Sequence, residues 1–219
     1  MPTLAILPLK RFSEAKQRLD PELSPSQRRA LSEAMFSDVL VALRRSREVD
    51  DIAVVTKDRG AQQIAGGHGA TVLDDNASGH NAAAALGLGH AIEAGFDRAL
   101  LVPGDCPTLD PTELDWLIEK GAEMRSVLIV PDRHGSGTNA LLLTPPDSLA
   151  PAFGPGSRER HVDNARAAQV AFEVVDLPSL ALDVDTADDL TALQGTLAAT
   201  HGGAAHTRGM LSQLLRSRS

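Results

Sequence analysis

Short apolar runs alternate with amphipathic stretches along almost the whole chain, and that alternation narrows the fold more than any other feature. Residues 4–9 read as a buried strand ended by Lys10. Ser24-Pro25-Ser26-Gln27 is a capping box with proline at the first helical position. Leu31, Met35, Val39 and Leu43 then give that helix one apolar face. Strands follow at 51–56 and 71–73, with a short helix at 62–65 between them. Asn81 is expected to cap an Ala-rich helix that stops at Gly95, and a strand at 98–102 runs into Pro103-Gly104-Asp105. Asp110-Pro111-Thr112-Glu113 opens another helix. Strands at 127–130 and 139–143 flank a Gly-rich loop; a helix at 157–169, a strand at 170–175 and a helix at 186–197 complete the series. This order predicts an α/β domain of three layers with a mainly parallel sheet. The length, 219 residues, suits one domain with a full core. We expect that domain over 1–199 and a flexible tail over 200–219, in which Met210, Leu211, Leu214 and Leu215 could form one docking turn.

Composition removes several functional classes. The net charge of −8 comes without a basic face, which argues against a nucleic-acid partner. Anions could bind only through a local basic cluster or a metal ion. Aromatic residues are scarce and Tyr is absent, so the core must be built from Ala, Val, Leu and Ile. The lone Cys106 allows no internal disulfide. No apolar run approaches a membrane span and none reads as a signal peptide, so a cytoplasmic location is expected.

Four clusters can carry chemistry. Just beyond the first strand, Lys10, Arg11, Lys16 and Arg18 form a cationic loop. Ligands of open α/β sheets bind at the carboxyl ends of strands, so Lys10, Lys16 and Arg18 could hold a triphosphate there. A solvated charged loop explains the same residues about equally well. In Pro103-Gly104-Asp105-Cys106-Pro107 a carboxylate follows an apolar strand in a rigid turn, which suits Mg²⁺ better than a turn cap. In Asp183-Val184-Asp185-Thr186-Ala187-Asp188-Asp189, Asp185 or Thr186 could simply cap a helix, or Asp185, with or without Asp183, could be a second metal carboxylate. The last cluster comprises Pro131 to Leu141 and Phe153-Gly154-Pro155-Gly156-Ser157, where glycines admit a ligand closely and Ser157 would sit at a helix N-terminus. No Walker loop, G-x-G-x-x-G, zinc spacing or G-x-S-x-G elbow is present.

Taken in order, L-P-L-K…A-K-x-R-L, P-G-D-C-P, P-D-R-x-G-x-G-T-N-A-L, G-x-G-S and D-V-D-T-x-x-D-L resemble the 2-phospho-L-lactate or phosphoenolpyruvate guanylyltransferases of coenzyme F420 biosynthesis, over residues 4–195. The resemblance implies a nucleotide-diphospho-sugar-transferase-like (GT-A-like) fold, GTP as donor and Mg²⁺ as cofactor. It implies acceptor contacts at Thr138, Gly154 and Ser157 and metal carboxylates at Asp105 and Asp185. The nucleotide is expected on Lys10, Ser13, Lys16 and Asn81, with Lys10, Lys16 and Asp105 acting on the reacting phosphates. Two departures stand out: Leu9-Lys10-Arg11-Phe12-Ser13 replaces the Gly-rich nucleotide loop of the wider group, and His80 precedes Asn81 where an apolar residue is usual.

The implied reaction joins GMP from GTP to a small phosphorylated carboxylic acid, with pyrophosphate released. Phosphoenolpyruvate, 2-phospho-L-lactate and 3-phosphoglycerate are not separable as acceptors at this level. A downstream transferase of the same pathway is a further expected partner, and the protein is expected to be a monomer or homodimer. Three other readings are weighed against this one. They are a molybdenum-cofactor or sugar-phosphate nucleotidyltransferase, a glycosyltransferase using a nucleotide sugar, and a non-catalytic nucleotide-binding regulatory module.

Overall fold

β1 (Thr3–Pro8) is buried along its whole length, because both faces of its sheet are covered. It lies near the middle of a seven-stranded sheet of order β3-β2-β1-β4-β6-β5-β7. The other strands are β2 (Asp51–Val55), β3 (Thr71–Leu73), β4 (Arg98–Leu101), β5 (Ser126–Pro131), β6 (Thr138–Thr144) and β7 (Ala171–Val174). β1 to β4 run parallel, β6 is antiparallel to both β4 and β5, and β7 is parallel to β5. β6 therefore runs against all the rest. The computed structural model describes residues 1–75, 79–121 and 125–216.

Alternation along the strands builds two cores. Ala5, Leu7, Leu100 and Leu142 face one side, with residues of α1 (Pro25–Arg45) and α4 (Pro111–Lys120). Leu4, Ile6, Leu101 and Leu141 face the other, with residues of α3 (His80–Glu93) and α5 (Ser157–Ala167). The small helix α2 (Arg59–Gly67) packs at the β3 end. The three layers and mixed, mainly parallel sheet are those the sequence predicts, and aliphatic residues dominate the core.

Local signals explain most boundaries. Ser24 and Gln27 close the expected capping box on α1, and Asp110 accepts from the N–H groups of Thr112 and Glu113 to start α4. The Ala-rich helix is capped differently from expectation. Gly79, with φ 102°, is its N-cap, and Asn81 lies inside the first turn with its amide bonded elsewhere. A short helix α6 (Pro178–Ala181) was not foreseen.

The chain's end also corrects the sequence reading. After α7 (Ala187–Ala199), residues expected to be flexible form α8 (Ala205–Arg216), which packs against α1. Asp38 of α1 explains the start of α8: its two carboxylate oxygens accept from the N–H groups of His206 (3.0 Å) and Thr207 (2.7 Å). Leu211 and Leu214 join Leu31, Met35, Leu190, Leu193 and Leu197 in a third apolar cluster, while Leu215 is 61% exposed. No helix among the described residues is long and apolar enough to cross a membrane.

Candidate active site

The loop after β1 is held by side chains rather than by glycines. Phe12 is buried against Phe36 of α1, ring centroids 5.9 Å apart, and its N–H donates to Asp58 at 3.0 Å. Two 3-10 turns, Phe12–Glu14 and Gln17–Leu19, flank Lys16, whose φ of 58° is left-handed. Leu19 anchors the far end in the third apolar cluster. Together these turn Lys16 inward. Its ammonium contacts Asp105 Oδ2 and lies 2.9 Å from Asp185 Oδ1, with side-chain exposures of 5% for Lys16, 27% for Asp105 and 52% for Asp185. Burial alone would lower the Lys16 pKa, but Asp105 and then Asp185 more than offset it and hold it above the usual lysine range.

Each carboxylate has a reason to be there. Asp105 follows β4 across Gly104, where a Cβ would stand 2.9 Å from Leu9 Cδ1 and 3.2 Å from Phe36 Cδ2. Glycine lets this turn press against the β1 loop. Asp185 is released from capping duty by its neighbour: Thr186 caps α7, and Asp189 accepts from the N–H groups of Thr186 (2.8 Å) and Asp185 (3.1 Å). Arg133 pairs with Asp189 at 2.5 Å. Burial would raise the Asp189 pKa, but the Thr186 and Asp185 hydrogen bonds and Arg133 together hold it low.

Asn139, to which the sequence reading gave no role of its own, braces this site. Its buried amide donates to Leu180 O (2.7 Å) and Asp183 Oδ1 (3.2 Å), tying β6 to the segment that carries Asp185. Burial, reinforced by the negative charge of Asp105, raises Asp183 to about 6. Asp183 thus sits beside the pair, bonded to Asn139, while Lys16 pairs with Asp105 and Asp185. Burial, with Asp105 next, also pushes the Cys106 thiol up, which makes it a core residue rather than a nucleophile.

A cleft of about 450 Å³ opens over this triad, lined among others by Lys10, Lys16, Arg18, His80, Asp105 and Asp185. Ser13 is exposed and outside that lining. Among the described residues no set of three or more His, Cys, Asp or Glu side chains is grouped to hold a metal. Two carboxylates do converge on one cation, the Lys16 ammonium. Such an oxygen-only donor pair, completed by phosphates and water, fits Mg²⁺, which takes one or two protein carboxylates beside substrate phosphates.

The second group lies beside the cleft. Because β6 runs against β4, pairing Leu101 with Leu141, Thr138 at its start falls at the carboxyl edge where Asp105 follows β4. Gly154 (φ 120°) and Gly156 (φ 70°) turn the chain into α5, and Ser157 is its buried first residue. The Ser157 N–H is spent on Gly154 O (3.0 Å) and that of Arg158 on Ser136 O (3.3 Å), so the helix terminus offers a ligand less than the sequence implied. His161, one turn on, reaches Thr138 Oγ1 at 2.9 Å. Thr138, Gly154 and Ser157 are therefore brought together.

Asn81 joins this group to the cleft. Its amide clamps the Phe153 backbone, accepting from the N–H (2.7 Å) and donating to the carbonyl (3.1 Å). The Phe153 ring stands edge-on to His80 and to His161, centroids 5.2 Å apart in each case. His80, which seemed out of place in the sequence, is half-buried against the cleft. Its pKa is lowered by burial first and by Lys10 second, with Asp105 opposing.

The family model described as "Guanylyl transferase CofC like" matches residues 3–217, further toward the C-terminus than the motifs had suggested. A phosphoenolpyruvate guanylyltransferase of Conexibacter woesei is 53% identical over 99% of this chain and 98% of its own length. A 2-phospho-L-lactate guanylyltransferase of Methanothermobacter thermautotrophicus is 33% identical over 98% of this chain and 92% of its own. The fold is shared with a solved structure from Desulfovibrio desulfuricans G20 assigned to the nucleotide-diphospho-sugar transferases. That match has a TM-score of 0.79, 16% identity, and covers 99% of this chain and 98% of that one. The chain belongs to the CofC-like guanylyltransferase family and is a nucleotidyltransferase.

Proposed function

We propose that this enzyme transfers GMP from GTP to phosphoenolpyruvate in coenzyme F420 biosynthesis, in the cytoplasm and with Mg²⁺ as cofactor. The observation that carries this is the cation-bridged pair Asp105–Lys16–Asp185 at the floor of a cleft that also presents Lys10 and Arg18. A triphosphate donor needs such a local reversal of charge on a chain of net charge −8. The name of the Conexibacter relative supports phosphoenolpyruvate, and that of the Methanothermobacter relative favours 2-phospho-L-lactate as the second reading.

The acceptor's phosphate has a second pKa near 6, so around pH 7 it is largely dianionic and needs no strong general base. One of its oxygens attacks the α-phosphorus of GTP. The new P–O bond forms as the bond to the bridging oxygen of the β-phosphate breaks, and pyrophosphate leaves. Lys10 and Arg18 screen the triphosphate, and Lys16 lies where the charges of donor and acceptor meet. Asp105 and Asp185 would hold Mg²⁺, which when bound supplies further neutralisation at the phosphate oxygens. Thr138, Gly154 and Ser157 orient the acceptor beside the cleft, a contribution of proximity.

The test is pyrophosphate release from GTP and Mg²⁺ with phosphoenolpyruvate, 2-phospho-L-lactate and 3-phosphoglycerate in turn, and with ATP and CTP as alternative donors. Turnover with phosphoenolpyruvate and GTP is expected, lost in Asp105→Asn with the fold intact. Release with another acid alone would reassign the acceptor; release with none would remove the reading.

A further inference from the structure

His161 is fully buried, yet both of its ring nitrogens are engaged. The Ala152 N–H points at Nε2 at 2.9 Å, and Nδ1 lies 2.9 Å from Thr138 Oγ1. A backbone N–H can only donate, so Nε2 must carry the lone pair. The ring is neutral, because burial and the nearby Arg160 charge lower its pKa to about 4. The ring proton therefore resides on Nδ1, and Nδ1–H donates to the Thr138 hydroxyl. That hydroxyl, having accepted from His161, keeps its own proton for another group.

Resting on the acceptor site proposed above, we propose that His161 is a positioning residue that makes the Thr138 hydroxyl an obligate donor to the anionic acceptor. The backbone selects the tautomer, the tautomer orients the hydroxyl, and the hydroxyl meets the acid. The same residue fixes the geometry, since Ala152 belongs to the loop that continues to Gly154, and Ser157 lies four residues before His161 on α5. Phe153 packs edge-on to the ring and closes it from solvent. A hydroxyl held this way discriminates by polarity. An acceptor atom that itself needs a partner to donate is satisfied, whereas one carrying a competing O–H at that point is not.

Two substitutions separate the ring's nitrogens. His161→Asn retains a donor near the Nδ1 position, and His161→Gln retains polarity near Nε2 but loses the donor to Thr138. Steady-state kinetics with phosphoenolpyruvate at saturating GTP, together with GTP titrations, should be run on both, on Thr138→Val and on Thr138→Val/His161→Gln. His161→Gln is expected to raise the acceptor KM roughly ten-fold, as Thr138→Val does, with GTP affinity unchanged. It should add nothing in the Thr138→Val background, and His161→Asn should recover part of the loss. Additive effects, or an unchanged KM in His161→Gln, would overturn the proposal while leaving the acceptor site in place. An unaltered acceptor KM in Thr138→Val would overturn both. Should His161→Gln fail to fold, ¹⁵N-detected imidazole spectra of the wild-type protein decide the point. The Nδ1–H tautomer is expected from pH 6 to 8, and the Nε2–H tautomer would refute it.

Discussion

Replacing Lys16 by Met separates the two things its ammonium does. The thioether side chain is near lysine in length and keeps the stem packed, but the charge between Asp105 and Asp185 is gone. Removing one partner of a buried ion pair usually costs about 3–5 kcal/mol. Here the carboxylates are 27% and 52% exposed, so water relieves much of their repulsion. We expect a loss of about 2 kcal/mol, or about 4–8 °C in Tm for a domain of this size. A divalent cation should then bind the vacated carboxylates without competition. Millimolar Mg²⁺ should raise the Tm of Lys16→Met by more than that of the wild type, by mass action on the folded state. GTP affinity should fall by roughly ten- to hundred-fold even in saturating Mg²⁺, because a charged donor near the phosphates is missing. Calorimetry with and without Mg²⁺, and titration with a non-hydrolysable GTP analogue, measure both effects. Equal Mg²⁺ stabilisation of the two proteins would refute the idea that the ammonium and the metal share one locus. Unchanged nucleotide affinity would remove Lys16 from the phosphate site.

Three further outcomes are expected. Gly87→Ala would put a Cβ 2.3 Å from Ile6 Cγ2 and should lose about 1–2 kcal/mol despite the better helix propensity, whereas Gly89→Ala on the same helix meets nothing within 4 Å and should gain up to about 1 kcal/mol; thermal melts of the pair check this. Asp38→Ala should cost about 1–2 kcal/mol by removing the cap of α8, and limited proteolysis should then cut near residues 201–204 faster. His161 titrates near 4 in the fold against 6.5 unfolded, so from pH 6.5 down towards 4 the unfolded chain takes up a proton that the folded one refuses. Stability should therefore fall over that window by at most about 3 kcal/mol from this group, and denaturant melts at pH 4.5 and 7 should show a smaller drop in His161→Asn.

The fold was legible wherever local signals and burial agree. The Ser24 and Asp110 caps and the apolar strands fall close to where the residues place them. Asn81 misled because a good capping residue is not used as one when tertiary partners, here the Phe153 backbone, claim its amide. The tail misled because its Gly- and His-rich composition hides a cap supplied by Asp38, 168 residues away from His206. The site was legible as a set of loops but not as contacts. Nothing local shows that Lys16 would turn from an exposed-looking charged run onto two aspartates. The roles of Asn139 and His161 depend on neighbours that come together only in the folded sheet. Gly154 was read as space for the acceptor. Its φ of 120° makes a backbone demand the more direct reason for glycine there, since an added Cβ would find its nearest neighbour at 3.6 Å.

The third apolar cluster has a consequence for how the cleft opens. Leu19 follows Lys16, Val184 precedes Asp185, and both are embedded in the cluster that Leu211 and Leu214 of α8 complete. Two neighbouring groups on the floor of the cleft thus rest on one cooperative unit assembled partly from the chain's last helix. If that unit opens, the lysine and the second carboxylate are released together, so the free energy of substrate binding must be returned to it. Amide hydrogen exchange in α8, remote from the phosphates, should slow when GTP and Mg²⁺ bind, while exchange in α5 should respond to the acceptor instead. The C-terminal helix would then report occupancy of the donor site without touching the donor.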